Sequence, residues 1–373
     1  MTDNMGVTID AVALRAALKR IKPALGRKSA LPILSSVLIR VGETVRLTTT
    51  DMNLWLTTEL PIVAEGLEGA ACVPYRHLSQ VARYCRDNVR ITATKSGKVK
   101  LEDEESVYEI NGYSASDYPA VPSEPATYHQ IEAEPVRKAL AGVLPAASDD
   151  VTRPVLTGVY FAIENRRLTI VATDSYRLHY ARLKPKGLPG KKASSLAPAR
   201  LWKLVAAAKG DTFSYAKDSQ GVHVIASGVH AHMAELVGQY PKWEQLIPES
   251  SGYSFTVDTD LLSRCCARTA SLSRFNSPMV ISPAKKRDVL RFTLDADDCR
   301  LVASDIRAPG HDLTQVCGYN PAFLLDAVKC SAESGETNVA MRSPLAPAMV
   351  TGGANVSCLV MPIRVSEGHT SRS

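Results

Sequence analysis

The strongest constraint on this chain is a spacing. A Thr-Asp or Ser-Asp pair ends a β-rich stretch three times, at Thr50-Asp51, Thr173-Asp174 and Ser304-Asp305, which sets the aspartates 123 and 131 residues apart. Pro74, Pro198 and Pro321 each open a helical pattern and follow at intervals of 124 and 123. Ahead of each block runs another pattern with apolar residues three and four apart: Val12, Leu14, Leu18 and Ile21, then Val136, Leu140 and Val143, then Leu261 and Leu262 through Ala267. The period is about a third of the 373 residues, far longer than the roughly 20–50 residues of solenoid and propeller repeats. It denotes three copies of a small domain, with boundaries at 1–126, 127–250 and 251–373.

Between the helical patterns lie short β-type runs such as 36–41, 45–48, 159–163, 168–172 and 290–294. Glu164-Asn165-Arg166-Arg167 reads as a hairpin turn between two of them. Two helices and many antiparallel strands per repeat give an α+β class with helices on one face of the sheets. Proline-rich segments beginning Tyr118-Pro119 and Tyr240-Pro241, 122 residues apart, close the first two repeats.

Charge is distributed unevenly. The net charge is +6, and the six helical windows together hold +10, which leaves −4 for the rest. Basic helices under an otherwise acidic surface suit a polyanion, since neutralised phosphates release counterions without any reading of sequence. No apolar run is long enough to span a bilayer and the N-terminus has no secretory pattern, so the expectation is a cytoplasmic protein with no membrane partner. The eight cysteines lack any C-x-x-C spacing and read as reduced, structural thiols.

Signals for chemistry are weak. Residues 184–192 are a basic loop that lacks the P-loop pattern. His230 and His232 share one face of a strand without an evident third ligand, and read as a surface or hydrogen-bonded pair. Asp149-Asp150 and Asp297-Asp298 are carboxylate pairs of a kind that holds Mg²⁺ in nucleases, yet adjacent acids in turn-like sequence are ordinarily solvated. The reading is a protein without catalytic residues, metal or cofactor.

Several segments together resemble the bacterial DNA sliding clamp, the beta subunit of DNA polymerase III. They are Leu31-Pro32-Ile33-Leu34, Thr50-Asp51, Val73-Pro74-Tyr75-Arg76, the run from Val171 to Leu178, Tyr240-Pro241 with Leu246-Ile247-Pro248, and Val360 to Val365. The likeness spans about 6–365. It implies three repeated clamp domains and a head-to-tail homodimer forming a ring around duplex DNA, with no enzymatic activity. It also implies partnership with double-stranded DNA irrespective of sequence, with a DNA polymerase and other clamp-binding peptides, and with a clamp loader.

Carried over position by position, the resemblance places a partner-peptide pocket at Leu156, Thr173, Ser175, Tyr176, Arg177, Leu178, Pro241, Leu246, Leu359, Val360, Met361, Pro362, Ile363 and Arg364. DNA contacts fall at Lys28, Arg76 and Arg200, with Arg153 on an adjacent loop and Arg15, Lys19 and Arg137 as helix contributions. The dimer seam sets Tyr108 and Ile110 of one copy against Ser271 and Leu272 of another. The chain departs from many relatives at Ser175-Tyr176, where they have Gly-His, from some at Pro154-Val155, where they have aromatic residues, and in its tail 366–373, since the family often ends near the pocket-forming strand. Rival readings are a specialised second clamp with an altered pocket, a metal-dependent nuclease, and a monomeric peptide-binding scaffold.

Overall fold

The computed structural model describes residues 5–26, 31–248, 252–273, 277–296, 299–330, 334–352 and 355–365. Among them are six α-helices: α1 (Ala11–Ile21), α2 (Tyr75–Tyr84), α3 (Ala133–Val143), α4 (Ala199–Ala207), α5 (Thr259–Leu272) and α6 (Pro321–Lys329). No helix among the described residues is long and apolar enough to cross a membrane. The chain divides into two compact units, one of Met1–Ile131 with Ala208–Glu235, the other of Glu132–Ala207 with Leu236–Ser373.

Three of these helices, α1, α5 and α6, start where a side chain satisfies their free amides. Asp10 accepts from the Ala13 amide at 2.7 Å, Asp258 from Leu261 at 2.8 Å, and Asn320 from Ala322 and Phe323 at 2.9 and 3.2 Å. Pro321 sits at the first turn of α6, where its missing N–H costs nothing. In α1 the residues at helical spacing, Leu14, Ala17, Leu18 and Ile21, are buried, while Lys19 and Arg20 in the last turn stay exposed and face the negative end of the helix dipole.

In the first unit α1 and α2 pack together, beside a five-stranded and a nine-stranded antiparallel sheet. The nine-stranded sheet draws strands from two repeats, because Leu54–Leu60 pairs with Val229–Met233. In the second unit α3 packs on α4 and α5 on α6, with an eight-stranded and a four-stranded sheet. Here Arg177–Leu183 pairs with Val356–Val360, again joining two repeats in one sheet.

The Thr-Asp repeat is a repeated turn. Thr50 Oγ1 accepts from the Met52 amide at 2.9 Å, and Asp51 Oδ1 accepts from Asn53 and Leu54 at 3.1 and 2.9 Å. Thr173 Oγ1 likewise accepts from Ser175 at 3.2 Å, and Asp174 Oδ1 from Tyr176 and Arg177, both at 2.9 Å. The residue after each Asp is left-handed, Met52 at φ 77° and Ser175 at φ 80°. The side-chain bonds hold a conformation that L-residues otherwise avoid.

The third copy differs. Strand Cys299–Arg307 runs straight through Asp305, whose carboxylate instead takes two 2.8 Å bonds from Arg291 on the neighbouring strand. The Tyr-Pro segments also repeat in space, and they are packed down instead of free-hanging. Tyr118 donates to the Thr48 carbonyl at 3.4 Å and Tyr240 to that of Val171 at 3.3 Å. The expected hairpin at 164–167 is present, with Asn165 and Arg166 both at positive φ, as a type I′ turn requires.

Candidate functional site

In the second unit the turn after strand Arg167–Thr173 reverses the chain into Arg177–Leu183 and brings Arg177 to the sheet surface. Thr173 Oγ1 donates to the Arg177 carbonyl at 2.7 Å. Arg177 Nε donates to Asp174 Oδ2 at 3.0 Å, and its Nη1 to Asp326 Oδ2 on α6 at 2.6 Å. The guanidinium lies 4.4 Å from the Phe323 ring centre, in cation–π range. One turn, one strand and one helix are thereby tied at a single side chain.

Beside Arg177 opens a cavity of about 220 Å³ lined by Thr173, Ser175, Arg177, Leu178, Pro241, Leu246, Pro347, Leu359 and Met361. Leu178 and Leu359 are directly opposite in the antiparallel pair and form its buried floor. They belong to an apolar cluster with Val171 and Trp243, so the floor is rigid. Leu246 and Met361 form walls that are 51% and 41% exposed. An open cavity with an apolar floor and a polar edge suits extended peptide with large apolar side chains.

Eight of the fourteen residues expected at the pocket line this cavity. Leu156 is buried in the short 3₁₀ turn Pro154–Thr157, and Val360 ends its strand in the core. Tyr176 is exposed and stacks on Phe323, with ring centres 6.5 Å apart. Pro362 bridges to Tyr319, the Ile363 amide donates to Gly318 at 2.8 Å, and Arg364 is exposed. None of these six lines the cavity. Pro347 joins the lining without any signal in its own sequence; it immediately precedes strand Ala348–Thr351, which pairs with Val356–Val360, and that pairing brings it to the cavity.

Arg153 sits next to this turn, with Nε 2.8 Å from Asp150 Oδ2 and Nη1 3.1 Å from Ser175 Oγ. The Thr152 side chain and then Arg153 hold the Asp150 carboxyl down to about 2. Both Asp150 oxygens are thus engaged within its own loop, with the Thr152 hydroxyl at 2.6 Å. Asp297-Asp298, Lys28 and the tail 366–373 lie outside the described residues.

Of the other basic positions, Lys19 and Arg76 are exposed and Arg137 and Arg200 half-buried on their helices. Arg15 donates from Nη1 to the carbonyls of Ala82 and Cys85, at 2.6 and 2.9 Å, joining α1 to the end of α2. At the expected seam, Tyr108 and Ile110 are on Val107–Asn111, an edge strand of the five-stranded sheet, beside a cleft of about 770 Å³ shared with α2. Ser271 and Leu272 are exposed in the last turn of α5.

His230 and His232 meet a third imidazole. His223 Nδ1 is 3.1 Å from His230 Nε2, which also meets the Tyr128 hydroxyl at 3.2 Å, while His223 Nε2 lies 3.3 Å from Asp218 Oδ2. Burial first, then the neighbouring His223, His232 and Arg46, push His230 down to about 4; burial also lowers His223 and His232. The unfolded chain takes up these protons near pH 6.5 and the folded chain resists them, so stability is complete above that pH and declines toward pH 4. His230 alone is expected to remove about 2 kcal/mol between pH 7.5 and 5.0. Urea unfolding at both pH values, with His230→Gln flattening the difference, checks this; an equal pH slope in the variant refutes it.

The family described as DNA polymerase III beta subunit matches over residues 5–122 with its N-terminal domain and over 130–241 with its central domain. The beta sliding clamp homolog GriR of Streptomyces muensis is 26% identical, with 90% of this chain and 93% of that protein aligned. The Bacillus subtilis DNA polymerase sliding clamp superposes with a TM-score of 0.89 at 22% identity, over 97% of this chain and 100% of that one. The Pseudomonas aeruginosa sliding clamp bound to griselimycin gives 0.87 at 19%, over 97% and 100%. With both domains matched in order and the fold shared along nearly its whole length, the chain belongs to the DNA polymerase III beta subunit family, the non-catalytic sliding clamps of DNA replication.

Proposed function

We propose that two copies of this chain close head to tail into a cytoplasmic ring of six domains, three per copy at 1–126, 127–250 and 251–373, opened by a clamp loader and threaded by duplex DNA. In each copy the cavity at Leu178, Leu246, Leu359 and Met361 tethers the polymerase and other partners by a short peptide. The observation that carries the tethering is this cavity, with its rigid apolar floor and half-open apolar walls. For the ring, support comes from two sheet edges. Val107–Asn111 ends the five-stranded sheet and Cys299–Arg307 the four-stranded one. Edges left without a neighbouring strand among the described residues join copies by strand addition, and a heterologous contact that closes by rotation makes a ring.

Lys19, Lys28, Arg76, Arg137, Arg153 and Arg200 serve as phosphate contacts, with Arg15 holding the helix pair that presents the first of them. Contacts of this type hold DNA without base readout and weaken with salt, so retention rests on topology.

Light scattering is expected to give twice the 40.3 kDa chain mass, and the loaded protein to stay on closed circular DNA and leave once the circle is cut. Leu272→Arg, at an exposed seam position, is expected to shift the assembly to monomer and abolish retention on circles without loss of folding. Equal retention on cut and closed DNA refutes the ring.

A further inference from the structure

His179, Cys330 and Cys358 come from three separate elements of the second unit, and their ligand atoms lie within 4.8 Å of one another. His179 and Cys358 are directly opposite across two paired strands, and Cys330 caps the C-terminus of α6. We propose that these three side chains form a binding site for a thiophilic d¹⁰ cation, Zn²⁺ or Cu⁺, beneath the cavity.

The geometry is specific in four respects. His179 is fully buried, and its Nδ1 lies 2.7 Å from the Gly142 carbonyl, an acceptor only, so the proton is on Nδ1. Nε2 is left with its lone pair and no hydrogen-bond partner, an uncommon state for a buried polar atom. A carbonyl on the far nitrogen is also the usual outer partner of a metal-bound histidine, fixing its tautomer and ring plane. Finally, a Cβ on residue 142 would stand 3.1 Å from Cys330 Sγ and 3.2 Å from both Val356 methyls, so glycine there leaves the sulfur its place.

Two sulfurs and one imidazole nitrogen suit Zn²⁺ or Cu⁺ over the oxygen-seeking Mg²⁺ and Ca²⁺. The Cys330 thiol meets the Asp326 carbonyl at 3.4 Å and that of Gly142 at 3.6 Å, and its sulfur already lies beside Cys358 and His179. Cys330 is also the one half-exposed member of the trio and gives the ion its way in. A bound ion would fasten α6 to the strand pair. That helix also carries Asp326, the partner of Arg177.

Reduced, chelator-treated full-length protein is titrated with Zn²⁺, Cu⁺ held in a thiol-free buffer, and Co²⁺ as an optical probe. One ion per chain is expected, with a thiolate-to-cobalt charge-transfer band and a raised melting temperature; the tighter of the Zn²⁺ and Cu⁺ isotherms identifies the ion. Cys330→Ser, at a half-exposed helix end, and His179→Gln should each weaken affinity by at least the roughly 10–100-fold that loss of an outer partner costs. Circular dichroism of both variants verifies that they fold. Absence of stoichiometric binding, or binding unchanged in both variants, overturns the proposal. So does a Cys330–Cys358 disulfide in protein purified without reductant that takes up no ion once reduced.

Discussion

Leu246→Glu combined with Met361→Glu is expected to weaken binding of a clamp-binding peptide about 100-fold and to leave the fold intact. Both side chains stand at the wall of the cavity, 51% and 41% exposed, so their contribution to folding is small. An incoming apolar side chain would bury them against Leu178 and Leu359, and each large aliphatic contact of that kind contributes roughly 1.5–3 kcal/mol. Placing two carboxylates there removes this gain and adds the cost of desolvating charge beside apolar surface. A loss of about 2.7 kcal/mol is 100-fold in Kd. Fluorescence anisotropy with a labelled polymerase tail peptide reads the affinity, and thermal melting reads the fold. Peptide binding within threefold of the parent at unchanged melting temperature would place the tethering site elsewhere. Retention on circular DNA should be unaffected, which separates tethering from encirclement.

The sequence conveyed the parts of this site that are built by local chemistry. Thr-Asp followed by a left-handed residue specifies a turn through three side-chain-to-amide bonds, and both instances at 50–54 and 173–177 form it. Tyr118 and Tyr240 carry their own packing, a ring to bury and a hydroxyl to donate to a strand carbonyl. The third copy kept the dipeptide but not the turn, because Arg291 across the ladder offers Asp305 a bidentate partner that the local amides do not match.

What could not be read from sequence depends on long-range pairing. Which strand edges join between repeats is decided by backbone groups that every residue carries, so no side-chain pattern marks Leu54–Leu60 for Val229–Met233. Pro347 enters the cavity only because its following strand pairs with Val356–Val360. Leu156 went the other way: its neighbours are loop-like, yet the Ser148 amide donates to its carbonyl at 2.9 Å and it turns inward to the core. His179 stood in an ordinary alternating strand, and Cys330 and Cys358 are 28 residues apart with no metal-ligand spacing, so their convergence is a property of the fold.

Arg177→Ala is expected to cost about 3 kcal/mol of stability in the second unit, in line with removing one partner of a buried ion pair. The Arg177 side chain is 12% exposed, Asp174 13% and Asp326 28%. Truncation leaves two carboxylates facing one another across the vacated space, with the cation–π contact to Phe323 gone as well. Arg177→Lys keeps the charge but not the fork. A single ammonium has no planar pair of donors for Asp174 and Asp326 at once and no flat face to lay on Phe323, so it should recover less than half of the loss. Urea unfolding of the three proteins gives the comparison. A loss under about 1 kcal/mol in Arg177→Ala would mean the pair is solvated as a surface bridge is, and that α6 is held to the sheet by its apolar face alone. The parent geometry argues against that, since the 2.6 Å bond from Nη1 to Asp326 and the 3.0 Å bond from Nε to Asp174 approach from two sides of one nearly buried guanidinium. Because Arg177 also lines the cavity, loss of this clasp should weaken peptide binding even where the walls are untouched.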